Sequence, residues 1–242
     1  MRLQPGAVGV VCALAIEARH FARTVRPHAI HRLADGTLLY VSGIGAEAAA
    51  RGAAALVDAG AGALLSWGLA GGLDPALHAG TALLPSEVAT QHGVFATSAA
   101  WRGQVGAAFR AHGPILRGTL FTAPFAIASV AEKAALFEST GACAVDMEGA
   151  HVAAVAAARG IPFIALKVIV DGAADALPPA ISAAVGAAQL RLGRLAWALA
   201  RSPGDLGSLW RLGQRYRSAS RTLAAAARAG FAQPADVGSS AP

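Results

Sequence analysis

Three acidic side chains stand at the ends of predicted buried strands in this 242-residue sequence. Glu148 and Asp171 follow the apolar runs 142–147 and 163–170, and Glu17 follows the first apolar run of the chain. Runs that are apolar on both faces are typical of strands in a parallel sheet that helices cover on both sides. Because ligands bind at the carboxyl ends of strands in open α/β sheets, carboxylates at these positions indicate a binding or catalytic site. Each acid alone also has a structural interpretation, as a partner of a helix dipole or as a turn residue.

The elements that would position these acids repeat in the order strand, glycine-rich turn and helix. This order predicts an α/β fold with a central mixed, mainly parallel β-sheet flanked by helices. Strands are predicted over 7–16, 38–41, 63–67, 119–127, 142–147 and 163–170. Helices are predicted over 18–25, 46–60, 131–137 and 148–159.

Two glycine-rich turns are predicted after strands, at Gly43–Gly45 and at Gly68–Gly72. With Ala48 the first turn loosely matches a dinucleotide-binding fingerprint, but no acid lies about 20 residues further on to hold a ribose, so we reject a dinucleotide site. Glycines still let the backbone approach a ligand closely, and their amides can hold an anion or a sugar oxygen. The candidates for a phosphate or water site are Gly43, Gly45 and Gly68.

The composition excludes several classes of protein and site. A hydrophobic share of 55% with few aromatic residues indicates a large aliphatic core. The two cysteines, Cys12 and Cys143, lie in predicted strands, which fits a reducing cytoplasm and offers neither a disulfide framework nor a metal site. The seven histidines show no metal-binding spacing. We therefore expect a cytoplasmic protein with no metal, no bound cofactor, no signal peptide and no spanning helix.

The net charge of +6 is concentrated at the C-terminal end of the chain. Residues 180–242 carry eight Arg and two Asp, whereas acidic and basic residues cancel over 1–179. We predict an α/β catalytic domain at 1–179, a basic amphipathic extension at 180–231 with helices at 181–200 and 206–229, and a disordered tail at 232–242. Basic helices with Trp and Leu either lie on anionic membranes or pack on the core or on another subunit, and both alternatives stay open. Nucleic-acid binding is not expected, since this extension lacks Lys and any known binding motif.

Four blocks of sequence resemble the nucleoside phosphorylase and nucleosidase superfamily: GVVCALAIEA, VSGIGAEAAARGA, SWGLAGGLDPALHAGTALLPSEV and AVDMEGAHVAAVAAARGIPFIALKVIVDG. The resemblance covers about residues 7–175 and is specific, because the blocks occur in the family's order and spacing. The superfamily includes purine nucleoside phosphorylases and methylthioadenosine/S-adenosylhomocysteine nucleosidases. The WGLAGG and DMEGA motifs and the Arg-rich C-terminus look most like the hopanoid-associated phosphorylase branch, which implies release of adenine from adenosylhopane in hopanoid biosynthesis.

The resemblance implies a role for each strand-end acid. Asp171 matches the acid that protonates the departing purine, and Glu17 matches the glutamate that orients attacking water, so both are the expected catalytic residues. Glu148 matches the acid that binds the ribose hydroxyls. The expected substrate-binding set is completed by Met147 beneath the sugar, Phe125 and Ile127 in a base-stacking stretch, and the glycines Gly71 and Gly72.

The nucleophile stays open at this point, and inorganic phosphate is a candidate co-substrate beside water. Val170 stands where the family commonly has Ser, the segment 68–72 lacks a hydroxyl, and no phosphate-binding Arg pattern occurs near it. Glu17 would repel a phosphate dianion, which favours water. The phosphorylase branch that the sequence resembles favours phosphate.

Two other functions are compatible with the same motifs. One is a methylthioadenosine/S-adenosylhomocysteine or general purine nucleosidase or phosphorylase. The other is a non-catalytic nucleoside sensor, which would keep Glu148 but would need neither Asp171 nor Glu17. For the leading interpretation we expect a small-molecule nucleoside-lipid substrate, a homo-oligomer, and contact of residues 181–229 with the inner face of the membrane.

Overall fold

A computed structural model describes residues 6–177 and 206–231 of the chain. The strands of this part are β1 (Ala7–Cys12), β2 (Ile30–Arg32), β3 (Leu38–Val41), β4 (Ala61–Gly72), β5 (Ala82–Leu83), β6 (Glu87–Thr90), β7 (Gly93–Ala96), β8 (Ile115–Leu116), β9 (Thr119–Thr122), β10 (Ala144–Asp146) and β11 (Phe163–Asp171). Its helices are α1 (Ala15–Ala18), α2 (Ala46–Asp58), α3 (Ala99–Phe109), α4 (Val130–Thr140), α5 (Gly149–Ala158) and α6 (Leu206–Ala229), with a 3₁₀ turn at Arg110–His112. The predicted fold class, a mixed and mainly parallel sheet flanked by helices, is confirmed.

The long strand β4 is the centre of the sheet and carries neighbours on both of its edges. On one edge β11 pairs with it in parallel along nearly its whole length. On the other edge β1 pairs in parallel as far as Trp67, and β10 pairs in the antiparallel direction with Gly71 and Gly72. The sheet continues from β1 through β3 to β2, and from β10 through β9 and β6 to β7.

The C-terminal ends of β1 and β10 therefore face each other along one edge of β4. β1 ends at Cys12 opposite Trp67, and β10 approaches from the other direction with Val145 opposite Gly71. On the opposite edge of β4, β11 ends with Asp171 also level with Gly71. Three strand ends thus meet around residues 67–71 of β4. Glu17 follows β1, Glu148 follows β10, and Asp171 is the last residue of β11.

Several sequence predictions for this region are wrong. Residues 68–72 continue β4 instead of forming a turn, because neighbouring strands pair with them on both edges and glycine lets those backbones approach closely. The first strand stops at Cys12 rather than at residue 16, since α1 begins at Ala15, and no helix runs over 18–25. β10 is antiparallel to β4 whereas β11 is parallel to it, so the two strands that flank α5 are not parallel neighbours.

Helices cover both faces of the sheet and bury its apolar residues. On one face α2 and α5 pack on the sheet and on each other, with Leu56 and Val152 fully buried. On the other face α3 and α6 pack together and against the sheet, with Trp101 and Leu223 fully buried. The Trp101 indole donates a hydrogen bond of 3.0 Å to the Phe231 carbonyl, which fixes the end of the chain segment that follows α6.

The C-terminal helix is confirmed over 206–229 as α6, and its apolar side belongs to the core. Ala219, Leu223 and Ala226 are buried in the same cluster as the sheet residues. Trp210, by contrast, is 68% exposed at the start of the helix. The predicted helix at 181–200 and the predicted tail at 232–242 lie outside the described residues. Within 6–177 and 206–231, no helix is long and apolar enough to cross a lipid bilayer.

Candidate functional site

A cavity of about 190 Å³ lies where the three strand ends meet. Glu17, Glu148 and Asp171 all line it. The other predicted residues on its wall are Phe125, Ile127, Met147 and Gly71. The structure therefore brings together acids that are far apart along the chain. A larger cavity of about 620 Å³ elsewhere in the described part contains none of the three acids.

Glu17 is buried in the short helix α1, which follows β1, and is held by backbone amides. Its Oε2 accepts a hydrogen bond of 2.9 Å from the Leu14 amide, and its Oε1 accepts one of 2.9 Å from the Leu69 amide of β4. Gly68 gives this carboxylate its space, because a Cβ there would lie 2.5 Å from Oε1 and the backbone has a φ of +148°. Burial raises the pKa of Glu17, while the Lys167 ammonium and the backbone donors oppose the rise. A raised pKa makes this carboxylate a stronger base toward water.

Glu148 follows β10 and lies at the N-terminus of α5. Its Oε1 accepts a hydrogen bond of 2.9 Å from the Gly45 amide, and its Oε2 accepts one of 3.3 Å from the Met147 amide. Gly45 has a φ of +97°, a conformation that glycine adopts without strain, and this aims its amide at the carboxylate. Burial raises the pKa of Glu148 to about 7, with a further contribution from the Asp146 carboxylate and an opposing one from Lys167.

A buried ammonium, that of Lys167, lies beneath this group of acids. Its Nζ is 2.8 Å from Oδ2 of Asp146, and both side chains are buried. Thr122 donates a hydrogen bond of 2.7 Å to Oδ1 of Asp146, and the Gly149 amide donates one of 2.9 Å to Oδ2. Burial acts to lower the pKa of Lys167, but the carboxylates of Asp146, Glu148 and Glu17 outweigh it and raise the pKa. One ammonium thus faces three carboxylates, which leaves an excess of negative charge on this side of the cavity.

Asp171, at the end of β11, has a lysine partner of its own. The ammonium of Lys133, on α4, contacts Oδ2 of Asp171 and is fully buried. The same ammonium donates hydrogen bonds of 2.8 Å to the carbonyls of Gly172 and Asp175. Burial raises the pKa of Asp171, and the Lys133 ammonium opposes that rise.

The remaining predicted residues have indirect or peripheral positions. Phe125 lines the cavity but is 64% exposed, so it forms part of the rim. Gly43, Gly45, Gly68 and Gly72 do not line the cavity. Where the sequence predicts an anion site, the Gly45 amide holds Glu148 and Gly68 makes room for Glu17. These two glycines therefore position acids of the cavity, and their role toward a phosphate or a water stays a prediction.

Sequence reasoning missed Lys133, Lys167 and Asp146, and a signal for the lysines was present. The chain contains only two lysines, the other 18 basic residues being arginines, and both lysines are buried at this site. Lys167 also interrupts the apolar run FIALKVIV, where a charged residue requires a buried partner. In the described ranges, no group of three or more His, Cys, Asp or Glu side chains is arranged to hold a metal ion.

Comparisons with known proteins show the family of the chain and the proteins whose fold it shares. The sequence pattern of the phosphorylase superfamily matches residues 7–201. The fold is similar to that of a methylthioadenosine/S-adenosylhomocysteine nucleosidase from Neisseria meningitidis, with a TM-score of 0.67, 18% identity and coverage of 91% of this chain and 97% of that one. A nucleosidase of the same description from Helicobacter pylori gives a TM-score of 0.65 at 17% identity, covering 90% of this chain and 95% of that one.

Futalosine hydrolase from Helicobacter pylori is a third similar structure, with a TM-score of 0.61, 18% identity and coverage of 68% of this chain and 87% of that one. No curated protein sequence matches the chain significantly. Since the family pattern spans most of the sequence, the chain belongs to the phosphorylase superfamily. The predicted superfamily is thereby confirmed.

Proposed function

We propose that this protein is an enzyme that hydrolyses the N-glycosidic bond of a purine nucleoside and releases the free base. The observation that carries the proposal is the convergence of three acids on one cavity, with Glu17 and Glu148 on one edge of β4 and Asp171 on the other. In a bound nucleoside the sugar would lie against the edge with Glu17 and Glu148, and the base would lie against the edge with Asp171. The superfamily membership supports cleavage of the N-glycosidic bond, and the choice of water over phosphate rests on the charges of the cavity.

Each acid matches a charge that develops as the bond breaks. The electron pair of the bond between C1′ and the base nitrogen moves to the base, and the ribose becomes positively charged. Asp171 gives its proton to the departing base, while Glu148 accepts hydrogen bonds from the ribose hydroxyls and its negative charge stabilises the cationic sugar. Glu17 takes a proton from the water whose oxygen bonds to C1′. The products are the base and the free sugar, and exchange with solvent returns both carboxyls to their starting state.

Water is the nucleophile that the charges favour. The described residues that line the cavity include Glu17, Asp146, Glu148 and Asp171 but no basic side chain. A phosphate dianion would therefore enter a site of its own charge, which costs free energy at low dielectric. Arg19 and Arg23, the arginines nearest to Glu17 in the sequence, are exposed and do not line the cavity.

For the natural substrate we propose adenosylhopane, on the basis of the sequence resemblance. The cavity wall contains Leu14, Ile44 and Leu69, which are compatible with an apolar substituent on the nucleoside. The similar structures are described as acting on methylthioadenosine, S-adenosylhomocysteine or futalosine, so these nucleosides are the alternative substrates.

We also propose that the protein contacts the membrane through the outer face of α6. The exposed residues of this face include Trp210 and three arginines, Arg217, Arg221 and Arg228. Arginines attract anionic headgroups, and tryptophan inserts at the interface. The double variant Trp210→Ser and Arg217→Gln should co-sediment less with phosphatidylglycerol vesicles than the wild type, and equal co-sedimentation would remove the membrane proposal.

The reaction is tested by measuring free base released from adenosylhopane, methylthioadenosine, S-adenosylhomocysteine, futalosine and inosine, with and without phosphate. We expect release without phosphate and the free sugar as the second product. Asp171→Asn should lower kcat by roughly 10²- to 10⁴-fold, the usual contribution of a general acid. Asp58→Asn is the matched control, because Asp58 is exposed and pairs with Arg159 at the surface, away from the cavity. Absence of release by the wild type would favour a nucleoside sensor, and strict dependence on phosphate would overturn hydrolysis.

A further inference from the structure

The ammonium of Lys133 uses all three of its hydrogen-bond donors at the end of β11. Its three donors go to Oδ2 of Asp171, the Gly172 carbonyl and the Asp175 carbonyl. An ammonium group has three N–H donors and no acceptor, so this set of partners saturates it. Lys133 is fully buried on α4.

The segment that Lys133 holds is a closed turn directly after the acid. The Gly172 amide donates a hydrogen bond of 3.0 Å to Oδ2 of Asp175, and the Asp175 amide returns one of 3.0 Å to the Gly172 carbonyl. Arg215 of α6 contacts the other carboxylate oxygen of Asp175. The turn at 172–175 is therefore fixed from within, from α4 and from α6.

Only one oxygen of Asp171 is left for a ligand. Oδ2 is occupied by Lys133, whereas Oδ1 accepts no hydrogen bond from the described residues, although Asp171 lines the cavity. A carboxylic acid that can rotate freely would present either oxygen to a base. Here the ammonium fixes which oxygen points to the ligand and in which direction.

We propose that Lys133 is a positioning residue of the reaction, which clamps Oδ2 of Asp171 and the turn at 172–175 so that Oδ1 faces the leaving base. This inference rests on the proposed function, because it assigns Asp171 the role of proton donor. Lys133 touches no substrate atom and acts through Asp171. Its ammonium also stabilises the carboxylate that remains after the proton has left, which lowers the barrier of the step in which the base departs.

The kinetic test is a double-mutant cycle with Lys133→Met and Asp171→Asn. Lys133→Met alone should lower kcat by roughly 10- to 100-fold, less than loss of the acid itself, with little change in KM. In the Asp171→Asn background the same substitution should change kcat by less than about twofold, because the residue through which it acts is gone. Glu138→Gln, on the exposed side of the same helix, is the control and should leave kcat unchanged.

The pH profile separates positioning from a purely structural role. Without the ammonium the charged form of Asp171 loses its partner, so its pKa rises and its proton stays on to higher pH. The alkaline limb of kcat should therefore move to higher pH in Lys133→Met. A structural defect would lower kcat without moving this limb.

A spectroscopic measurement keeps the inference testable if Lys133→Met does not fold. Because the chain has only two lysines, ¹⁵Nζ-labelled lysine gives two side-chain ammonium resonances. Asp171→Asn should shift the Lys133 resonance and leave the Lys167 resonance in place, since Lys167 contacts Asp146 instead.

Three results would overturn the inference: unchanged kcat in Lys133→Met, an equal loss in both backgrounds of the cycle, or a Lys133 resonance that does not respond to Asp171→Asn. A wild type that releases no base from any nucleoside would instead overturn the proposed function. The ¹⁵N experiment would still show in that case whether the contact between Lys133 and Asp171 exists in solution.

Discussion

Each side of the cavity is built on a buried lysine paired with an aspartate, but the two sides use the pair differently. On the sugar side, formed by Glu17, Asp146, Glu148 and Lys167, the lysine contacts Asp146. The two acids proposed to act on the sugar and the water, Glu17 and Glu148, are held by backbone amides. On the base side, formed by Lys133, Asp171 and the turn at 172–175, the lysine contacts the acid that we propose as the proton donor to the base.

The difference lies in the balance of charge. On the sugar side one ammonium faces three carboxylates, so negative charge is in excess, and burial raises the pKa of both Glu17 and Glu148. An excess of negative charge suits a sugar that becomes cationic. On the base side one ammonium faces one carboxylate and two carbonyls. A balanced pair of this kind suits an acid that must give up its proton and remain as a stable carboxylate.

The strongest test of the sugar side is Glu148→Gln. Loss of the charge that anchors the hydroxyls and stabilises the cationic ribose should lower kcat/KM by roughly 10²- to 10³-fold. The rate of base release at a limiting nucleoside concentration measures the loss in kcat/KM, and the rate at a saturating concentration measures the part that lies in kcat. Glu47→Gln, on the exposed part of α2, is the matched control and should leave kcat/KM unchanged. A Glu148→Gln variant with the kcat/KM of the wild type would contradict the role of excess negative charge on the sugar side.

The same substitution should raise stability in a pH-dependent way. Because the pKa of Glu148 is about 7 in the folded protein and its ordinary value is 4.5, the folded protein binds this proton more tightly than the unfolded chain. The free-energy penalty of burying the charged Glu148 carboxylate is absent below the pKa of the unfolded chain. It grows as the pH rises from that pKa through the pKa of the folded protein. Glu148→Gln should therefore raise Tm more at pH 8 than at pH 5, by about 2–4 °C for each kcal/mol recovered. Equal shifts at both pH values would show that the gain has another cause.

A smaller change is expected in the pH profile of Asp146→Asn. The Asp146 carboxylate raises the pKa of Glu148, and its loss also frees Lys167 to face Glu148, so both effects lower that pKa. The acid limb of kcat/KM, which depends on ionised Glu148, should move to lower pH. Measurement of kcat/KM between pH 5 and 9 checks this shift. Asp74→Asn, a partly buried aspartate outside the cavity, serves for comparison.

The smallest effect is expected from Arg215→Gln on the base side. This pair with Asp175 is partly exposed, and such pairs contribute about 0–1 kcal/mol. Because Lys133 still holds the turn, kcat should fall less than about threefold. Gln214→Ala, at an exposed position of the same helix, is the control. A loss as large as that of Lys133→Met would mean that α6 rather than α4 positions the acid. The base side would then depend on Arg215 and not on its buried lysine.

Local sequence was sufficient to predict the strand-end acids and several other residues of the cavity wall. Glu17, Glu148 and Asp171 follow or end apolar runs, and a run of this kind is a property of neighbouring residues. The strand 38–41 and the helices at 46–60 and 206–229 were likewise predictable, because apolar periodicity and terminal glycines act within one element. The glycines of 68–72 were misassigned because a glycine-rich segment looks the same in a turn and in a strand, and only its neighbours distinguish the two.

The two lysines and the meeting of the strand ends were decided by the tertiary structure. Lys133 and Asp171 lie 38 residues apart, and nothing in either local sequence names the other as partner. Glu17 and Glu148 share a cavity only because β1 and β10 run toward each other along one edge of β4. Strand register of this kind depends on pairing between distant segments. The amino-acid sequence determined which side chains carry charge, and the register of β4 determined which of those charges meet.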